Sequence, residues 1–159
     1  MKERFLCFVR NALAVALLAL PTISHADDIL TISVDGISES LSFDDLLAMP
    51  QSKVVTKNDY VNEAVEFSGP TLKDLLVRYK IDSDATLVMH AINEFSVTVP
   101  ASDAYQYNVI LALFSDGEAM SIRDKGPIWV IYPMDDHEEL LDDSYNSRII
   151  WQLTRITAE

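Results

Sequence analysis

The sequence is poor in the residues that most often carry chemistry. Its 159 residues hold one cysteine, four glycines and three histidines. The lone cysteine, Cys7, cannot form an intrachain disulfide. With only Gly36, Gly69, Gly117 and Gly126, there is no Gly-rich phosphate loop, dinucleotide fingerprint or Gly-x-Ser-x-Gly elbow. His90 and His137 are the only histidines after residue 26; unpaired and without cysteine, they make no zinc motif, and no metal site is expected. Basic residues are also scarce. Twelve Lys and Arg face 25 Asp and Glu, a formal charge of −13, which argues against nucleic acid or anionic lipid as a partner. The apolar fraction of 49% still gives a globular chain rather than a disordered one.

The N-terminus is the exception in charge. Lys2, Arg4 and Arg10 precede or flank an apolar run from Asn11 to Leu20, Pro21 breaks it, and Ser24-His25-Ala26 supplies small residues where a signal peptidase reads. This is the pattern of a secretory signal peptide over 1–26, with cleavage expected after Ala26. The run is shorter than the roughly 20 residues a spanning helix needs. The expected product is a single periplasmic domain over 27–159, soluble and without a transmembrane segment. Cys7 leaves with the signal, so the domain has no thiol for a nucleophile or a sulfur–metal bond.

Along 27–159 there is no repeat and no low-complexity linker. Leu30, Ile32 and Val34 alternate with polar residues, a half-buried strand, and Asp35-Gly36 predicts a hairpin turn. Ser42 with Asp45 three residues on predicts a capping box for a short helix ending before Pro50. Strands are expected over Ser52–Lys57 and Ala64–Phe67, the second stopped by Gly69-Pro70. Leu72, Leu75, Leu76 and Tyr79 define one apolar helix face, with Pro70 near its first turn. Thr86–Ile92 reads as a central strand apolar on both faces, and Phe95 to Val99 as a strand with one wet face. A helical turn at Ser102–Tyr105 precedes a strand over Val109–Phe114, and Asp116-Gly117 is a second hairpin turn. Ile128–Tyr132 and Ile149–Ile156 are the last strands, separated by an acidic, partly helical loop over Asp135–Asp143. Many strands with a few short helices define an α+β domain. The acidic loop lacks the alternating ligands and turn glycine of a calcium site and reads as a solvated charge run. His90, in an apolar strand, reads as a hydrogen-bonded core or pocket-edge residue.

Four segments carry a resemblance. Phe67–Leu76 (FSGPTLKDLL), Ala91–Pro100 (AINEFSVTVP), Asp124–Pro133 (DKGPIWVIYP) and Asn146–Ile156 (NSRIIWQLTRI) occur in the order seen in the molybdopterin-binding domain of the sulfite-oxidase type. The likeness spans nearly all of 27–159, and the chain is most similar to short, secreted, stand-alone members resembling periplasmic pterin-binding regulatory proteins. The resemblance implies a mixed α+β fold with the pterin in a cleft of strand ends and loops. Those enzymes hold molybdenum through a cysteine and use basic residues against the cofactor phosphate, and this domain has no cysteine and few cations. The expectation is therefore a non-catalytic module that binds a reduced pterin without molybdenum. It would report to the periplasmic sensor domain of a membrane protein, such as a cyclic-di-GMP enzyme. The alternative is a molybdopterin-dependent oxidoreductase, or a remnant of one.

A pterin needs a plane to stack on, a carboxylate or amide for its 2-amino/N3 edge, and a donor for O4. The candidates are Tyr60 as an aromatic lid, Asn93 as donor and acceptor, Asp135 or Asp136 after the strand ending at Tyr132-Pro133, and Ser147 and Arg148 where the chain approaches the last strand. Arg148 either meets a ligand oxygen or pairs with Asp142 or Asp143. Trp151 shares parity with Ile149 and Leu153, so it is either core packing or the floor of the cleft. Trp129 reads as plain core and Arg155 as a solvated strand end.

Overall fold

A computed structural model describes residues 27–159. The expected signal peptide, its cleavage site and Cys7 lie outside the described residues. β1 (Asp28–Val34) buries Leu30 and Ile32. Asp35 and Gly36 turn the chain with φ of 50° and 79°, the left-handed pair that matches strand twist, and β2 (Ile37–Ser42) returns antiparallel. α1 (Phe43–Leu47) starts in the expected capping box: Asp45 N–H donates to Ser42 Oγ at 3.2 Å and Ser42 N–H donates to Asp45 Oδ2 at 2.8 Å. Ser42 Oγ also donates to Asp45 Oδ2 at 2.6 Å, and this bond, with the one from Ser42 N–H, holds the Asp45 carboxyl below its ordinary range.

β3 (Gln51–Asn58) and β4 (Val61–Pro70) form a long hairpin. β4 runs through Gly69 and ends on Pro70, correcting the expectation that this pair stops the strand short. A Cβ at Gly69 would lie 2.0 Å from the Leu111 carbonyl oxygen, so glycine is there to let two backbones touch. α2 (Leu72–Arg78) is capped by Thr71 Oγ1, which accepts from Asp74 N–H at 3.0 Å, and it buries Leu72, Leu75 and Leu76.

β5 (Thr86–Ala91) and β6 (Ser96–Pro100) form the next hairpin. β5 is an inner strand whose burial alternates, rather than one covered on both faces. α3 (Ser102–Gln106) places Asp103 inward. The expected strand over Val109–Phe114 splits into β7 (Ile110–Ala112) and β8 (Phe114–Ser115). β7 pairs with β10 (Trp129–Ile131), whereas β8 pairs with β4 and with β9 (Glu118–Ala119) across the Asp116-Gly117 turn.

The acidic segment is two 3-10 turns, Met134–Asp136 and Glu138–Leu141, followed by α4 (Asp143–Asn146). Asp142 caps α4 by accepting from Ser144 N–H at 2.9 Å, so part of the charge run has local work. β11 (Leu153–Ala158) begins four residues later than expected. Gln152 takes φ of 52°, which breaks the extended run, and residues 149–152 cross between sheets as irregular chain.

The main sheet has strand order β2-β1-β11-β5-β6, with β1 and β11 parallel and the other pairs antiparallel. A second sheet runs β3-β4-β8-β9, and β10-β7 form a separate pair. One core joins them, with Phe67, Leu72, Leu87, Met89, Ile110, Val130 and Ile156 excluded from water. The described residues are thus a mixed α+β domain. Among them, no helix is long and apolar enough to cross a membrane.

Candidate functional site

The irregular chain that replaces the start of the last strand forms one wall of a cavity of about 260 Å³. Asn146, Ser147, Ile149, Ile150 and Trp151 line that wall. Ala91, Asn93 and Phe95, from the end of β5 and the turn to β6, line the opposite side, and Tyr60, from the β3–β4 turn, closes the group. The volume lies just below the roughly 300–1,000 Å³ of sites for drug-sized ligands, so it suits a smaller molecule.

The aromatic side is ordered edge to face. The Tyr60 and Trp151 rings lie 4.7 Å apart at 76°, and Tyr60 stands 6.4 Å from Trp129 at 62°. Trp129 is buried beneath them, against Phe67 at 5.2 Å, with Lys125 Nζ 4.9 Å above its ring. Tyr60 remains 42% exposed, so it covers the cavity from outside the core. Trp151 is bridged to Trp129 through the backbone and is half-buried. It is neither plain core nor solvated, because the parity argument required a strand that Gln152 interrupts.

The polar side is neutral. Asn93 Oδ1 accepts from Phe95 N–H at 3.2 Å, which leaves the amide NH₂ as the group able to donate to a ligand. Ser147 Oγ donates to Ser144 C=O at 2.7 Å, so toward a ligand it acts as an acceptor. Asn146 Nδ2 donates to Asp59 Oδ2 at 2.6 Å, tying this wall to the β3–β4 turn. Among the described residues, no Asp, Glu, Lys, Arg, His or Cys lines the cavity. A neutral aromatic molecule with donors and acceptors on its rim matches that lining better than an ion does.

Four of the seven sequence candidates, Tyr60, Asn93, Ser147 and Trp151, therefore meet at one cavity. The other three do not line it. Asp135 lies in a 3-10 turn, where its carboxylate accepts from Lys57 N–H at 3.0 Å and its own N–H donates to Thr56 Oγ1 at 3.2 Å; it ties that turn to β3. Asp136 is exposed beside it. Arg148 points away from the cavity, and its Nη1 donates to Asp103 Oδ2 at 2.5 Å. Its ion-pair partner is thus Asp103, not Asp142 or Asp143, because α3 delivers a carboxylate that is only 4% exposed.

Around Asp103 a compact polar cluster forms. Tyr132 Oη donates to the same Oδ2 at 2.8 Å, and the Arg148 guanidinium stacks 4.3 Å from the Tyr145 ring. Burial, then the Asp103 charge, pushes the Tyr132 phenol well above its ordinary pKa. Burial acts to lower the Arg148 pKa, yet the Asp103 carboxylate outweighs it and raises it.

Four lining residues, Ala91, Phe95, Ile149 and Ile150, had no signal in the sequence beyond their apolar character. His90 is half-buried on β5 opposite Arg155 and Ser96 and does not reach the cavity. Among the described residues, no three His, Cys, Asp or Glu side chains converge as a metal site would require.

Fold and site together define an α+β domain with an uncharged, aromatic-walled cavity. No family model matches the chain, and no curated protein matches it. Among solved structures, it is similar to the sulfane dehydrogenase SoxCD from Paracoccus pantotrophus, with 15% identity and a TM-score of 0.57. The match covers 81% of this chain and 37% of the SoxCD chain, so the present chain spans little more than a third of that protein's length. At this identity the likeness is one of fold, and it agrees with the sulfite-oxidase-like architecture that the motif order implies.

Proposed function

We propose that this chain is a receptor for a small, flat, neutral heterocycle, and that the heterocycle is a pterin. The observation that carries the reading is the cavity between Tyr60 and Trp151. Aromatic rings, the Asn93 amide and the Ser147 hydroxyl share one lining, and among the described residues no charged side chain lines it. A ring entering there would be covered by Tyr60, would meet the Trp151 indole and would hydrogen-bond at its rim. The pterin identity rests on the resemblance of the four segments. Export to the periplasm rests on residues 1–26, and a membrane-bound sensor as the partner rests on the resemblance alone.

The second reading is a molybdopterin-dependent oxidoreductase, favoured by the fold likeness to a dehydrogenase. The cavity lining does not fit that group well. Among the described residues it contains no cysteine to hold molybdenum and no lysine or arginine to meet a phosphate. Two cations of neighbouring segments are engaged elsewhere: Lys125 lies over Trp129 and Arg148 is bonded to Asp103.

Protein purified from its own periplasm tests both readings by native mass spectrometry and elemental analysis. A released blue-fluorescent pterin without metal supports the receptor, and stoichiometric molybdenum supports the oxidoreductase. In vitro, a tetrahydropterin added anaerobically should quench tryptophan emission saturably. Tyr60→Ala should weaken binding about tenfold, the loss expected for one aromatic contact and the area it covers. Identical titrations for parent and variant would remove the cavity from consideration.

A further inference from the structure

β6 is the last strand of the main sheet, and among the described residues no chain pairs with its outer side. An open strand edge presents unpaired N–H and C=O groups, and proteins usually blunt it with charge. The other outer strands of the two larger sheets follow that rule: β2 carries Glu39, β3 carries Lys53 and Lys57, and β9 carries Glu118. β6 does not. From Phe95 to Ala101 the chain reads FSVTVPA, without a charge, in a sequence whose formal charge is −13. Ile92 and Phe95, at the head of this edge, are 51% and 53% exposed.

The backbone fixes which groups point outward. Ala91 N–H donates to Phe95 C=O and Ala101 N–H donates to Ala85 C=O, both at 2.9 Å. Between them the register is unbroken, with Met89 opposite Val97 and Leu87 opposite Val99. Val97 and Val99 therefore bond toward β5, and the alternate residues Ser96, Thr98 and Pro100 face out. Proline has no N–H, so the edge offers the N–H of Ser96 and Thr98 and the C=O of Ser96, Thr98 and Pro100.

We propose that the β6 edge is a self-association surface, on which a second copy of this chain pairs antiparallel about a two-fold axis at Thr98. In that register the strands overlap over their full length. Each Thr98 N–H donates to the Thr98 C=O of the other copy, and each Ser96 N–H donates to the other copy's Pro100 C=O. Every outward N–H is satisfied, and the N–H that proline lacks is not needed to satisfy another. A basic partner would find no countercharge on this edge. The occupant it suits is a neutral strand, and β6 is itself one, so no like charges oppose each other across the seam. Phe95 falls opposite Ala101 of the second copy, and Phe95 also lines the cavity, so the seam runs to each binding wall. The inference does not depend on what the cavity holds.

The sequence after residue 26 has no cysteine, so introduced thiols read the register directly. Facing residues of a hydrogen-bonded antiparallel pair have Cα atoms about 5.5 Å apart, within disulfide reach. Under mild oxidation Thr98→Cys should form a covalent dimer. Ser96→Cys should not, because the two Ser96 residues lie about 13 Å apart along the seam. Sedimentation velocity on the parent protein should show a reversible monomer–dimer equilibrium that tightens as salt is raised, since salt screens the repulsion between two acidic chains and spares an uncharged seam. Thr98→Lys sets two like charges across the axis and should weaken the dimer about fivefold, while the dilute protein melts as the parent does. A parent that stays monomeric at millimolar concentration overturns the proposal, as does equal cross-linking of the two cysteine variants. A dimer that loosens with salt, or that Thr98→Lys leaves unchanged, places the seam elsewhere and overturns it too.

Discussion

Cutting Arg148 back to methionine removes a charge but keeps most of the side-chain stem. Asp103 would then be left with the Tyr132 hydroxyl as its sole side-chain partner, at 2.8 Å, in a site where its side chain is 4% exposed. Breaking a buried pair from one side destabilises by about 3–5 kcal/mol, because the surviving charge is uncompensated. Arg148 is itself 20% exposed, so water reaches part of the gap and the low end applies, about 3 kcal/mol. With a urea m-value of about 1.5 kcal/mol per molar, the unfolding midpoint falls by about 2 M. Asp103→Asn is milder, about 1–2 kcal/mol, since the amide still accepts from Tyr132 and Arg148 keeps the Tyr145 face. The double variant removes both charges and should be no less stable than Arg148→Met alone. The assay is urea unfolding followed by tryptophan emission, with unchanged slope as the check that the end states are the same. Two results would refute the reasoning: single losses that simply add in the double variant, or an Arg148→Met midpoint within about 0.3 M of the parent.

Two further outcomes follow from positions remote from the cavity. Burial first, and then the nearby Glu39 carboxylate, pushes the Tyr79 phenol up to about 12, and Tyr132 is shifted the same way. A pKa raised on folding means that the folded state holds its proton more tightly, so stability is full below about pH 10 and falls as pH rises from there towards 12. Thermal unfolding between about pH 8 and 11.5 should show a plateau and then a decline, and a midpoint that rises above pH 10 would contradict both assignments. Gly69→Ala places a methyl 2.0 Å from the Leu111 carbonyl oxygen. The strands there are joined by Leu113 N–H donating to Ser68 C=O at 2.8 Å, so neither backbone can yield cheaply. The loss should exceed about 2 kcal/mol, or roughly 8 °C in melting temperature, and a neutral result would show that the strands can part.

What the sequence revealed depended on the range of each signal. The Ser42/Asp45 box, the two Asp-Gly turns and the Leu72–Tyr79 face lie within a few residues of the groups they organise, so composition and spacing sufficed to find them. The site depended on longer reach. Ser147 and Trp151 were recognisable as unusual in an apolar run, and so was Arg148. What separates them is Asp103, 45 residues away, for which no local pattern calls. A guanidinium in an apolar segment must have a partner, but the sequence does not say whether α3 or a ligand supplies it. Trp151 shows the converse. Its parity assigned it to a strand face only if the strand began at Ile149, and a single left-handed residue, Gln152, undid that premise. Gln152 is held there by two bonds to one segment: its N–H donates to Lys125 C=O at 3.0 Å and its Nε2 to Ile122 C=O at 2.6 Å. The irregular backbone that turns Trp151 toward Tyr60 is therefore fixed by a distant loop. Chain that gives up strand pairing beside a cavity, yet is anchored this firmly, is where a binding wall would be expected.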